Sequence, residues 1–133
     1  MMGLGISYSR PSQKLDGNMK KAIKALEHAR GIGFRWSTHV EAFHKCVEEF
    51  DELSEELRGE ITDGDHLDRI HHEIGDCLFT LINLAIHLGI DPAECLDSTS
   101  DRFLARLKMI HINDTKSMID EWNEHRRARR GGL

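Results

Sequence analysis

Five carboxylates fall into two short groups whose spacing suits a cation site. Glu48, Glu49 and Glu52 lie in KCVEEFDEL (45–53), and Glu73 and Asp76 lie in HEIGD (72–76). On a helix, residues three and four apart share a face. Lys45, Glu49, Glu52 and Glu56 therefore make one stripe, and Glu73 with Asp76 makes another. Glu49 and Glu52 set against Glu73 and Asp76 from an antiparallel neighbour would repel strongly unless cations lay between them. An all-oxygen set without His or Cys suits magnesium, with manganese as a substitute. Taken alone, Glu49 and Glu52 also fit a solvated acidic face. Glu73 and Asp76 resist that reading, because they continue into the polar stripe of a largely apolar helix.

That stripe is the second chemical feature. At about 100° per residue, Arg69, Glu73, Asp76, Thr80, Asn83 and His87 fall into one sector of residues 69–88. Ile70, Ile74, Cys77, Leu78, Leu81, Leu84, Ala85 and Leu88 cover a broad arc, which Phe79 and Ile86 extend. A helix apolar nearly all round is buried on most sides. Its polar sector then faces a wet groove or a buried site, where Asn83 and His87 need partners.

The elements that must position these groups read as helices. The first spans roughly 16–30, with Asp16 as its cap, Met19, Ile23 and Leu26 inward, and Gly31 as its stop. The second, about 38–58, follows Ser37 or Thr38, with Glu41 placed for a capping box. Its seam is Phe43, Val47, Phe50 and Leu57, widened by Cys46 and Leu53. The third, about 67–88, stops at Gly89, with Ile90 as the apolar residue beyond it. Asp91, Pro92 and Glu94 open a fourth that reaches about Ile112. Asn113, Asp114 and Thr115 precede a last helix carrying Met118, Ile119 and Trp122. The fold class is all-α: a bundle of four to five helices holding a two-helix acidic metal site. A helix as apolar as the third needs more cover than its short neighbours supply, which predicts a homodimer or homotetramer.

Composition narrows the function. A net charge of −5 over 133 residues argues against general nucleic-acid binding. The basic cluster Arg126-Arg127-Ala128-Arg129-Arg130 reads as a solvated tail that complements a helix C-terminus. The apolar run from Cys77 to Ile90 is too short and too interrupted for a bilayer, and no signal peptide is visible. Cys46, Cys77 and Cys95 form no CxxC pair and read as reduced core thiols. The expectation is one cytoplasmic domain acting on a small molecule.

KCVEEFDEL followed by HEIGDCLFTLINLAIHLGIDP (72–92) resembles the MazG-type nucleotide pyrophosphohydrolases of the all-α NTP pyrophosphatase superfamily. The EExxE and ExxD motifs are here Glu48-Glu49-x-x-Glu52 and Glu73-x-x-Asp76, with residues 53–72 between them. GFRW (33–36), DRFLARL (101–107) and SMIDEWNEHR (117–126) continue the likeness. It covers residues 33–126, with 1–32 as a lead-in and first helix and 127–133 as a basic tail. The resemblance implies hydrolysis of a nucleoside triphosphate to the monophosphate and pyrophosphate. It assigns Glu49, Glu52, Glu73 and Asp76 to magnesium, and Glu48 or Glu49 to the attacking water. It assigns Lys45, Arg102, Arg106 and Arg126, with Arg69 as a weaker candidate, to phosphates. Asn83 would bond sugar, phosphate or a ligating carboxylate, with Trp36 or Trp122 near the base. Small relatives directed at dGTP favour a purine, GTP or dGTP first. Within the superfamily, dUTP and phosphoribosyl-ATP pyrophosphohydrolases share the acidic pattern. Outside it stand a non-catalytic helical interaction module and a di-iron bundle, the latter because Glu41-x-x-His44 reproduces one ExxH element.

Overall fold

The computed structural model describes residues 15–131. Among these residues there are five α-helices and no strand: α1 (Leu15–Gly31), α2 (His39–Glu56), α3 (Gly64–His87), α4 (Pro92–Leu107) and α5 (Thr115–Gly131). They group into two compact units divided between Pro92 and Ala93. The lead-in before Leu15 lies outside the described residues.

In the first unit α1 is already helical at Leu15, one residue before the start expected at Asp16. It ends at Gly31, where the stop was expected, and the turn beyond it is closed by Gly33. Gly33 takes the left-handed conformation (φ 87°), the Phe34 N–H donates to the Ala29 carbonyl at 2.8 Å, and the Gly33 N–H donates to Arg30 at 3.0 Å. A residue without Cβ adopts that φ without strain. The end of α3 is built alike, as expected: Gly89 has φ 73°, and the Ile90 N–H reaches the Ala85 carbonyl at 2.8 Å. The capping box of α2 forms as its residue types require. Thr38 Oγ1 accepts from the Glu41 N–H at 3.2 Å, and the Glu41 carboxylate accepts from the Ser37 N–H at 3.0 Å. α3 begins at Gly64 rather than residue 67, because Asp63 caps it by accepting from the His66 N–H at 2.8 Å.

The buried faces of α2 and α3 differ from the expected seam. Ala42, Cys46 and Glu49 of α2 are buried, as are Ile70, Cys77, Thr80 and Asn83 of α3. Phe43, Val47 and Phe50 are exposed instead, and so are Ile74, Leu78 and Leu81. Small residues at Ala42, Cys46, Cys77 and Thr80 let two helix backbones approach closely. The bulky residues are left on the outer surface. Of the three expected core thiols, Cys46 and Cys77 are buried and Cys95 is exposed.

In the second unit α4 ends at Leu107, short of the expected Ile112. The His111 N–H is directed to both Glu121 carboxylate oxygens, at 3.2 and 3.3 Å, and so is not used in continuing the helix. Asp114 then caps α5, accepting from the Ser117 N–H at 3.0 Å and from its hydroxyl at 2.9 Å. Among the described residues no single helix is long and apolar enough to cross a membrane.

Candidate functional site

Three of the four expected ligands converge. Carboxylate oxygens of Glu49 and Glu52 on α2 and Glu73 on α3 all lie within 4.8 Å of one another. Glu49 is only 7% exposed. Oε2 of Glu49 and Oε2 of Glu73 are buried without any hydrogen-bond partner. The charge of Glu49 first, then that of Glu73, holds the Glu52 carboxyl above its ordinary range. One cation is present: Lys45 Nζ lies 3.0 Å from Glu49 Oε1 and 3.3 Å from Glu48 Oε2. Those two bonds, Glu49 first, hold the ammonium above its usual pKa, so Lys45 stays charged.

One ammonium against three close carboxylates leaves the cluster electrostatically unbalanced. Unpartnered buried carboxylate oxygens are costly unless something binds them. An all-oxygen donor set of this kind fits a hard divalent cation. Cys77, next to the cluster, has its thiol pushed up by burial first and then by Glu49, so it stays a neutral packing group.

Asp76 lies outside the cluster. It is half-buried, and its Oδ2 is 3.3 Å from His72 Nε2, one turn earlier on the same helix. Glu48 is exposed beside Lys45. Arg69 is engaged elsewhere: its Nε donates to both Glu56 carboxylate oxygens, at 3.1 and 3.3 Å, where α2 and α3 meet their connecting loop. Glu41 is held in its capping box, which removes the ExxH element of a di-iron reading.

The polar interruptions of α3 have separate explanations. The Thr80 hydroxyl donates back to the Asp76 and Cys77 carbonyls at 3.0 and 3.1 Å, so its own helix satisfies it. His87 Nε2 donates to the Trp36 carbonyl at 3.0 Å, fastening the end of α3 to the loop before α2. Asn83 is 5% exposed, on the same face as Glu73.

Trp36 is half-buried in that loop, with Phe34 edge-on at 6.4 Å. The two rings help line a cavity of 330 Å³. In the second unit Arg102, Arg106, Trp122 and Arg126 line a single cavity of 520 Å³, as a shared role requires. Arg129 and Arg130 line it too, although by composition they belong to a solvated basic tail. Their signal was helical spacing, since both stand three or four residues beyond Arg126 and on the Trp122 face.

No family model matches the chain. Pairwise, the chain is 32% identical over 92 residues to a nucleoside triphosphate pyrophosphohydrolase of Escherichia coli K12, covering 69% of this chain and 34% of that protein. It is 31% identical over 90 residues to the nucleoside triphosphate pyrophosphohydrolase/pyrophosphatase MazG of Thermotoga maritima, covering 68% of this chain and 32% of that protein. The chain thus spans about a third of the length of the curated relatives it matches.

Proposed function

The chain belongs to the MazG-type family, and on that premise we propose that it hydrolyses a nucleoside triphosphate to the monophosphate and pyrophosphate with magnesium. The observation that carries this reading is the pair of buried, unpartnered oxygens of Glu49 and Glu73 within the three-carboxylate cluster. Glu49, Glu52 and Glu73 would hold the metal, with manganese as a substitute, and Asp76 would join them by turning away from His72. Magnesium, when bound, neutralises the triphosphate and orients it for in-line attack.

The chain's own groups do the rest. Glu48 or Glu49 takes the proton of the attacking water. Lys45, already charged beside the cluster, pairs with a phosphate oxygen. Within the second unit, Arg102, Arg106 and Arg126 offer planar forks matched to phosphates. Arg69, ion-paired to Glu56 at 3.1 Å, remains the weaker phosphate candidate. Asn83 donates or accepts at the sugar or at a ligating carboxylate, and Trp36 receives the base.

The exposed apolar residues of α2 and α3 support assembly into a homodimer or homotetramer. Leu78 is 59% exposed and Phe43 52% exposed, and an outer face of this kind fits a self-complementary contact. The acidic net charge supports a small nucleotide over a nucleic acid as partner, and the reduced thiols support a cytoplasmic setting.

The test is a panel of ribo- and deoxynucleoside triphosphates with magnesium, the products separated by chromatography. Monophosphate should appear with at least one member, dGTP or GTP first, and EDTA should abolish it. Absence of turnover across the panel would leave a non-catalytic helical module as the reading.

A further inference from the structure

Beside the acidic cluster, α2 and α3 meet in a contact between opposite charges. Glu56 stands one turn beyond Glu52 on α2, and Arg69 stands one turn before Glu73 on α3. The two helices run antiparallel, so both steps lead toward the loop that connects them. There Arg69 Nε donates to both Glu56 carboxylate oxygens, at 3.1 and 3.3 Å. His66 Nε2 donates to the Glu56 backbone carbonyl at the end of α2, and lies 3.6 Å from Glu56 Oε2. Among the described residues, each ion pair that crosses from α2 to α3 ends on Glu56. Lys45 does not tie the helices together, because its ammonium binds Glu48 and Glu49 of its own helix.

Like charges at Glu49, Glu52 and Glu73 push the two helices apart. Sliding one helix along the other by a turn, about 5.4 Å, would also separate the three carboxylates, whose oxygens lie within 4.8 Å of one another. Whatever fixes the register must therefore cross between the helices and lie close to the cluster. Glu56 meets both needs. Its side chain is 26% exposed and that of His66 12%, although Arg69 reaches into solvent. Partial burial on the Glu56 side limits screening, and charges joined in a network hold better than an isolated surface pair. The His66 bond also satisfies a terminal carbonyl that α2 itself leaves open.

We propose that Glu56, Arg69 and His66 are positioning residues for magnesium: the clamp they form holds α2 and α3 in the register at which Glu49, Glu52 and Glu73 share a cation. This role rests on the metal reading of those three carboxylates given above. Neither Glu56 nor Arg69 touches the metal, and each acts through the helix that carries a ligand. Glu56 continues the Glu49 and Glu52 stripe by spacing, but its ion pair with Arg69 takes it out of the ligand set. Arg69 separates a clamp from a simple field effect. Removing a positive charge one turn from Glu73 tightens magnesium binding if only the field counts, and weakens it if the register is lost.

The experiment is calorimetric titration of the full chain with magnesium chloride, without nucleotide, on variants that keep the wild-type helicity by circular dichroism. Arg69→Gln should weaken binding by about fivefold or more, and Arg69→Lys, which keeps a cation for Glu56, should restore most of it. Glu56→Gln should weaken binding similarly. The Glu56→Gln/Arg69→Gln double variant should be no weaker than either single one, since the two act as one pair. Glu55→Gln removes the same charge from the adjacent, exposed position and should have a smaller effect. Should Arg69→Gln fail to fold, the comparison of Glu56→Gln with Glu55→Gln decides alone. Tighter or unchanged binding in Arg69→Gln, or equal losses in Glu56→Gln and Glu55→Gln, overturns the proposal. A nucleotide KM raised by Arg69→Gln with magnesium affinity intact assigns that arginine to phosphate and overturns it too. Wild type that binds magnesium while the variants bind as tightly refutes this inference alone. Wild type that binds no magnesium refutes the metal site itself, and the clamp's role with it.

Discussion

Glu49 on α2 and Glu73 on α3 bring carboxylate oxygens within 4.8 Å of each other, and each keeps a buried Oε2 without a partner. Two helices would not choose that juxtaposition for its own stability, since close like charges oppose packing. A cation bound only by the folded protein reverses the sign. Magnesium should therefore raise the melting temperature, with a stabilisation of about 2.7 kcal/mol when its concentration is 100 times the dissociation constant. Glu52→Gln, which removes one exposed charge from the cluster, should melt as high as wild type in EDTA or higher, and should lose the magnesium response. A wild-type melting curve indifferent to magnesium would show that the cluster is not a metal site.

The pH dependence of the second unit follows from Asp114. The Ser117 N–H first and its hydroxyl second hold the Asp114 carboxyl below its ordinary range. A depressed folded pKa contributes stability above the unfolded value, about 3.9, and that stability is lost as pH falls through the folded one. Asp114→Asn keeps an acceptor at the cap without the titration. Its acid unfolding should be shallower than that of wild type, and Asp114→Ala should melt lower at pH 7. Helicity followed against pH checks both, and identical acid limbs would count against the cap.

Much of this arrangement was legible in the sequence, and the exceptions have physical causes. The capping box at Thr38 and Glu41 and the glycine stop at Gly89 rest on local chemistry and form as read. α1 ends at Gly31 as expected, but the left-handed residue of the turn is Gly33, two residues on, which only backbone geometry distinguishes. The seam of α2 was misread because large apolar residues were expected to pack within the chain. The buried positions of α2 and α3 are instead small or polar, among them Ala42, Cys46, Cys77 and Thr80. Convergence of Glu49, Glu52 and Glu73 followed from their spacing, whereas Asp76 is drawn off by His72, a neighbour with no motif to announce it. Arg129 and Arg130 were hidden by their composition, which looks like a tail, although their spacing places them on the Trp122 face.

Asn83 separates a structural helix from a functional one. It is nearly fully buried, so Asn83→Leu should leave the melting temperature equal or higher, because an apolar replacement needs no partner. If Asn83 serves the nucleotide, turnover should fall by roughly tenfold or more, equivalent to about 1.4 kcal/mol. Ile82, half-buried beside it, is the control: Ile82→Ala should lower stability and leave the specific activity of the folded protein nearly unchanged. Wild-type turnover in Asn83→Leu would remove that residue from the site.

The outer apolar face gives a separate expectation. Leu78 projects from α3 among Ile74, Leu81 and other exposed apolar residues. Wild type should sediment as a dimer or larger, and Leu78→Lys should shift it toward the monomer by placing a charge in the contact. A monomeric wild type at micromolar concentration would disprove the assembly.

The central claim is that the α2–α3 carboxylates make the chain a pyrophosphohydrolase, and quantitative product analysis of wild type beside Glu73→Gln tests it most directly. With magnesium and the best nucleotide of the panel, wild type should release monophosphate and pyrophosphate in equal amounts. Glu73→Gln should be slower by on the order of 10²-fold or more, as for loss of other preorganised electrostatic groups, with its helicity unchanged. Diphosphate and orthophosphate as the primary products, or a Glu73→Gln variant turning over at the wild-type rate, would contradict the account.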